Sequence, residues 1–279
     1  MDAAPQAYLA HWGLRQDGDP WAGWTSRVWP VRGPRGQEWV LKVPDDDQPL
    51  SAEGAALRAW GESDAARRRV VSLVDEYDGV LVLQRLDADV CLADYPIAEA
   101  DQVIAESIAA LAGVPPPPHV PELIAELDRL RACIESSRAS HPDLVPRRVV
   151  DRALDSLHGL AAHVAASALT LVHYDLHYLN VLRDPRTDRW VVIDPLPRAG
   201  VPEVEVVAVL RNRWGDLVET GDVERAMRRR FDLLTGTAGL DRERATAFAQ
   251  AVAVDNLMWL LPREPEHMFV APYSLLSRW

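Results

Sequence analysis

Four residues able to do polar chemistry fall within eight positions: His173, Asp175, His177 and Asn180 stand in the run Leu171-Val172-His173-Tyr174-Asp175-Leu176-His177-Tyr178-Leu179-Asn180-Val181-Leu182. The apolar residues on either side must be buried, and polar groups held between them need partners or a task. A second apolar run, Trp190-Val191-Val192-Ile193, delivers Asp194 at its end and is stopped by Pro195. A hairpin between the two runs would bring Asp194 beside Asn180. A carboxylate and an amide oxygen are hard ligands of the kind that hold Mg²⁺ together with substrate phosphates, which leaves Asp175 free to act as a base. Two other arrangements use the same residues. His173 and His177 have the i, i+4 spacing of a helical zinc site, but no Glu follows His173 and no third ligand is evident. The polar groups could also satisfy one another in a structural loop, which covers each residue singly but not the whole set.

A further candidate lies far upstream. Of the 30 Lys and Arg residues, Lys42 is the only lysine. Arginine is a wide fork and lysine a slim point charge on a flexible stem, so a site shaped for lysine does not readily accept arginine. Lys42 sits in Trp39-Val40-Leu41-Lys42-Val43, whose alternation reads as a strand.

The elements that must position these residues change character along the chain. Residues 26–32, 38–43, 70–74 and 80–85 read as strands, interrupted by a helix over 51–61 with Ser51 as N-cap and Gly61 as stop. Amphipathic helices follow at 97–113, 121–138 and 147–167, with the prolines of 115–118 as a stiff connector between the first two. Extended stretches at 169–182 and 190–196 carry the polar cluster. Helices are expected again at 204–212, 222–234 and 241–261, the last two capped by Asp222 and Asp241. There is no internal repeat.

Composition narrows the function classes. A chain of 279 residues, 48% hydrophobic and 26% charged, is that of a globular protein of one large domain or two lobes, and excludes disordered or coiled-coil classes. The apolar run 247–261 is too short and too polar, with Gln250, Asp255 and Asn256 inside it, to span a bilayer. The N-terminal residues lack the pattern of a secretory signal, and only Cys91 and Cys133 could pair, so a reducing cytoplasm is expected. With 30 basic against 42 acidic residues the net charge is −12, which repels phosphodiester backbones and anionic lipid and suits a cationic small molecule. No nucleic-acid or membrane partner is expected.

With these residues in place, the sequence resembles the protein-kinase-like aminoglycoside phosphotransferases, in particular their streptomycin 6-phosphotransferase and hydroxyurea-kinase branch. The resemblance rests on His173-x-Asp175-Leu176-His177-x-x-Asn180-Val181-Leu182, on Ile193-Asp194-Pro195, on Leu210-Arg211-Asn212, on Trp24 to Val31 ahead of Val40-Leu41-Lys42-Val43, and on Glu53-Gly54-x-x-Leu57-Arg58-x-Trp60. It implies an α+β, two-lobed kinase-like fold: a small β-rich nucleotide-binding lobe with one helix over residues 1–86, and a larger, mainly helical lobe with the catalytic loop and acceptor pocket over 87–279.

The resemblance further implies that Lys42, oriented by Glu53, contacts the phosphates of ATP, that Asp175 accepts the proton of the acceptor hydroxyl, and that Asn180 and Asp194 hold Mg²⁺. Thr25 and Ser26 would lie in the nucleotide-positioning loop, and Leu83-Gln84-Arg85-Leu86 would form the hinge, its backbone meeting adenine; GTP remains open as the donor. The implied acceptor is an aminoglycoside-type antibiotic, with hydroxyurea, a basic peptide antibiotic or a sugar-like intermediate as alternatives, and the protein is expected to be a monomer or weak homodimer. A nucleotide-binding regulator without turnover is the reading of another class. Two positions depart from the family pattern: Tyr174 replaces a glycine, and Glu205 replaces an aspartate that braces the loop. Asp216, Glu219, Asp255, Glu264 and Glu266 are candidates to line a pocket for a cationic acceptor.

Overall fold

The computed structural model describes residues 5–23, 26–45 and 50–279. The chain opens with helix α1 (Gln6–Trp12), then strands β1 (Arg15–Gln16), β2 (Trp21–Ala22), β3 (Ser26–Arg32) and β4 (Glu38–Pro44), helix α2 (Ser51–Glu62), and strands β5 (Leu73–Tyr77) and β6 (Val80–Gln84). The strands form one antiparallel sheet in the order β1-β3-β4-β6-β5, with β2 also on β3. Asp78 and Gly79, both at positive φ (52° and 72°), make the two-residue turn that joins β5 to β6.

Alternation along β3, β4 and β6 sorts the side chains. Trp29, Val31, Leu41, Val80 and Val82 pack with Leu9 of α1 in a small core on one face. Lys42, registered between Val28 and Leu81, belongs to the other, which faces α2. The expected single helix of this lobe is therefore joined by α1, which covers the sheet's outer face.

Two further details differ from expectation. Val70 and Val71 pair with Val192 of the distant hairpin (Val71 N to Val192 O, 2.9 Å), so the ladder with β6 begins only at Leu73. Ser51 is the first helical residue of α2 and not its cap. Leu50 holds that place without a side-chain bond, fixed instead by its own N–H to Gly79 O at 3.0 Å.

The rest of the chain is β7 (Asp87–Cys91), α3 (Ile97–Leu111), α4 (Leu123–Ser140), α5 (Arg147–Ala166), β8 (Thr170–Val172), β9 (Val181–Asp184), β10 (Arg189–Val192), β11 (Arg198–Gly200), α6 (Val206–Arg211), α7 (Trp214–Glu219), α8 (Val223–Ala238), α9 (Arg242–Leu260) and α10 (Val270–Leu276). Three short strands pair as β10-β9-β7 and two as β11-β8. Helix α3 packs on α8, and α4 and α5 pack on α9, around one large core that also receives α2. Asp222 and Asp241 cap α8 and α9 as expected, accepting from Arg225 N and Arg244 N. Helices α7 and α10 are too short for periodicity to announce them. No described helix is long and apolar enough to cross a membrane. Cys91 and Cys133 are both free thiols.

Candidate active site

The lone lysine is buried at the cleft between the two lobes. Its Nζ lies 2.6 Å from Glu53 Oε2 on α2 and 2.5 Å from Asp194 Oδ1 just beyond β10. Burial works to lower the Lys42 ammonium, and the two carboxylates outweigh it and raise it, so the side chain stays charged. Asp194 is half-exposed. Glu53 is enclosed; burial pushes its carboxyl up against the pull of Lys42, and its Oε1 has no hydrogen-bond partner. Glu53 thus fixes the direction of the lysine stem from α2, and Asp194 meets the ammonium from the hairpin.

The hairpin expected from sequence forms, with Val181 opposite Val192. Ile193 N donates to Asn180 O at 2.9 Å, so Asp194 follows directly on the ladder that carries Asn180. Asp194 adopts φ 57°, a left-handed conformation that ends the extended run. The Asn180 amide donates through Nδ2 to Asp175 O at 3.0 Å, which closes the loop and leaves Oδ1 as a free acceptor. Asn180 Oδ1 and the Asp194 carboxylate are hard oxygen donors suited to Mg²⁺. Among the described residues no group of three His, Cys, Asp or Glu is placed to hold a metal ion. The His173 and His177 zinc arrangement finds no support in that set.

Asp175 stands between the loop and α6. Its Oδ1 accepts from Arg211 Nη2 at 2.6 Å and its Oδ2 lies 3.5 Å from His177 Nε2. Burial works to raise its carboxyl; the His177 contact, with the charges of Arg211 and His173 behind it, prevails and holds it below the usual carboxylate value. Tyr178, in the turn between Asp175 and Asn180, is anchored from below: its hydroxyl donates to Asp101 of α3, which also receives Arg230 Nε of α8 at 3.2 Å.

Glu205, in the turn before α6, accepts the backbone N–H groups of His173 (2.5 Å) and Tyr174 (3.1 Å). The longer acid thus braces the loop from beneath. Burial pushes Glu205 up to about 7 against these two bonds and pulls the His173 imidazole down to about 4. Tyr174 occupies φ 69°, which accounts for a glycine suiting this place. Its hydroxyl donates to Glu126 of α4 at 3.0 Å, and Arg198 lies 5.0 Å over its ring. Burial raises the phenol well above its ordinary value.

Glu126 is gripped by Arg129, which also comes within 3.7 Å of Asp255 on α9, and burial pushes Asp255 up to about 6. Of the five carboxylates expected around the acceptor, only Asp255 joins this cluster. Asp216 is tied to Arg213, and Glu219, Glu264 and Glu266 are exposed. Sequence reasoning missed Glu126, Arg129 and the contact made by Arg211; the Leu210-Arg211-Asn212 run marked the last without giving it a role.

Ser26 is buried at the start of β3, on the Lys42 face of the sheet, and pairs with Pro44. Thr25 lies outside the described residues. Gln84 falls on the opposite face from Lys42, since Leu81 is registered with Lys42 and Gln84 is three residues further on, so any part it takes in holding a nucleotide falls to its backbone. Arg85 is committed to Val31 O and Asp17, while Leu86 is half-buried against the main core.

A family model for aminoglycoside/hydroxyurea antibiotic resistance kinases matches residues 11–262. The chain is similar to a streptomycin 6-kinase of Streptomyces glaucescens, 34% identical over 262 residues, which span 93% of this chain and 82% of that one. It is similar also to a hydroxyurea phosphotransferase of Kitasatospora aureofaciens, 36% identical over 258 residues, 90% of this chain and 71% of the other. Among solved structures, the streptomycin–ATP–APH(2″)-IIa ternary complex superposes with a TM-score of 0.56 at 13% identity, covering 100% of this chain and 97% of that one. This likeness shows the two-lobed kinase-like fold.

Proposed function

The chain belongs to the aminoglycoside/hydroxyurea antibiotic resistance kinases, and on that premise we propose that it transfers the γ-phosphoryl group of ATP to a hydroxyl of a streptomycin-like cationic antibiotic. The observation that carries this reading is the convergence of Lys42 on Glu53 and Asp194, at 2.6 and 2.5 Å, on the same hairpin that closes the Asp175 loop. Phosphoryl transfer asks a protein chiefly for position and field. Lys42, oriented by Glu53, holds the donor's phosphates. Asn180 and Asp194 are the residues that would hold Mg²⁺, which supplies neutralisation of charge on the phosphates. Asp175 accepts the proton of the acceptor hydroxyl as that oxygen bonds to the γ-phosphorus and the bond to the leaving ADP oxygen breaks.

Ser26, at the start of β3 on the Lys42 face, would meet the phosphates, and the backbone of residues 83–86 the base, ATP being the donor and GTP the alternative. The lobes divide between residues 86 and 87, where β7 turns to pair with β9. The half-buried carboxylates Glu126 and Asp255, reached from Asp175 through Tyr174, favour a cationic acceptor. The 36% identity to a hydroxyurea phosphotransferase supports hydroxyurea as a second reading. ADP release measured with streptomycin, hydroxyurea and no acceptor separates them: streptomycin should give the highest kcat/KM. Turnover of hydroxyurea alone would move the assignment to it, and ATP binding without ADP release would make the protein a regulator.

A further inference from the structure

The family reading leaves one well-made contact without a role, that between Arg211 and the loop aspartate. Helix α6 has only six residues, and the five before Arg211 (Val206, Val207, Ala208, Val209 and Leu210) are all buried. Those five side chains anchor the helix without help from its last residue. Arg211 alone turns out of the core, and its Nη2 donates to Asp175 Oδ1 at 2.6 Å. The guanidinium lies 5.5 Å over the Phe269 ring, with the Tyr273 phenol of α10 beside it, and its Nε is buried without a hydrogen-bond partner. An arginine enclosed by aromatic rings is a rigid fork, and here a prong of that fork is spent on a carboxylate oxygen.

We propose that Arg211 is a positioning residue for phosphoryl transfer: it pins Oδ1 of Asp175 at 2.6 Å so that Oδ2, held only by a long 3.5 Å contact with His177 Nε2, is the oxygen presented to the acceptor hydroxyl. This rests on the kinase reading given above. The segment 205–211 then grips the loop twice. Glu205 fixes the backbone N–H groups of His173 and Tyr174 just ahead of Asp175, and Arg211 fixes the Asp175 side chain. A free aspartate would sample several χ1 and χ2 settings, of which few place an oxygen in line with the acceptor, and orientation of this kind acts on the rate of the bound complex. The nucleotide side of the site hangs on Lys42, Glu53 and Asp194, none of which Arg211 is seen to bond.

The test uses Arg211→Met and Arg211→Lys, alone and combined with Asp175→Asn, with kcat and both KM values measured on streptomycin and MgATP, and slow ATP hydrolysis by water followed in parallel. Arg211→Met should lower kcat by about ten- to a hundredfold with the MgATP KM within about twofold. Arg211→Lys should recover part of the loss, and millimolar guanidine should restore part of the Met variant's rate. In the Asp175→Asn background the same substitution should cost less than about twofold, because residues that act as a unit do not add. An unchanged kcat, a loss that adds fully to that of Asp175→Asn, or a kcat loss matched by a MgATP KM rise would overturn the proposal. If Arg211→Met does not fold, Arg211→Lys and its double variant decide by the same criteria. Failure of every acceptor with wild-type protein would sink the kinase reading, while the ordering of the variants in ATP hydrolysis still judges Arg211.

Discussion

Lys42 and Asp194 stand 152 positions apart in sequence and meet at 2.5 Å, which joins the first lobe's central strand to the end of the second lobe's hairpin. The lysine reaches both Asp194 and Glu53 because a single ammonium on a thin stem fits a buried slot. A guanidinium is wider and cannot meet both carboxylates in that geometry. Lys42→Arg, which keeps the charge, should therefore lower kcat/KM for MgATP by about tenfold or more. Steady-state kinetics equal to wild type would reduce Lys42 to a structural ion pair.

Asp175 and Asp194 should fail in different ways. Asp194 is the half-exposed carboxylate beside Asn180, so Asp194→Ala should weaken MgATP binding by about tenfold or more and flatten its dependence on Mg²⁺. Asp175→Asn removes a proton acceptor and should cut kcat by about 10²–10⁴ while MgATP affinity stays within a few-fold. Titration calorimetry with and without Mg²⁺, set beside kcat, checks the pair. Equal MgATP affinity in Asp194→Ala would assign the metal to another group.

Buried Glu205 and His173 give opposite pH slopes. Burial raises Glu205 from 4.5 to about 7, so between those values the folded chain keeps a proton the unfolded chain has released, and stability falls as pH rises. Burial lowers His173 from 6.5 to about 4, so the unfolded chain holds the extra proton and stability rises with pH. The two nearly cancel from about pH 4.5 to 6.5. Glu205→Gln removes the falling slope, and its stability relative to wild type should improve by up to about 3 kcal/mol between pH 4.5 and 7. Urea unfolding at the two ends of that range measures it. A difference that stays constant would mean the two N–H bonds keep Glu205 ionised throughout.

The parts of this protein legible in its sequence are those with strong periodicity or a chemical oddity. Lys42 was conspicuous as the only lysine, and Asp175, Asn180 and Asp194 by their density among apolar neighbours. Strands β3, β4 and β6 are runs rich in Val, Leu and Trp, and Asp222 and Asp241 marked two helix starts. What stayed hidden depends on contacts remote in sequence. Val70 and Val71 look like strand residues because they pair, but with Val192 in the other lobe. Glu126 looks like any surface acid of an amphipathic helix until Tyr174 is seen to reach it across 48 positions, and Arg211 acts on Asp175 across 36. Six- and seven-residue helices such as α7 and α10 give too few turns for a period.

Tyr174 holds a place where a side chain is expensive. Its φ of 69° carries a left-handed penalty of about 1–2 kcal/mol that glycine would not meet. Against this stand the burial of its ring on the main core and the hydroxyl bond to Glu126 at 3.0 Å. Tyr174→Gly should therefore change stability by no more than about 2 kcal/mol, since the strain relieved and the packing lost oppose each other. Its effect on function should be larger and one-sided. The ring lies immediately before Asp175 and its hydroxyl reaches Glu126 and not the Lys42 partners Glu53 and Asp194, so the acceptor KM should move by about tenfold while the MgATP KM stays unchanged. Tyr174→Phe, which removes only the bond to Glu126, should fall between wild type and the glycine variant. An acceptor KM indifferent to both, with stability lost by about 3 kcal/mol or more in the glycine variant, would make Tyr174 a packing residue with no part in choosing the acceptor.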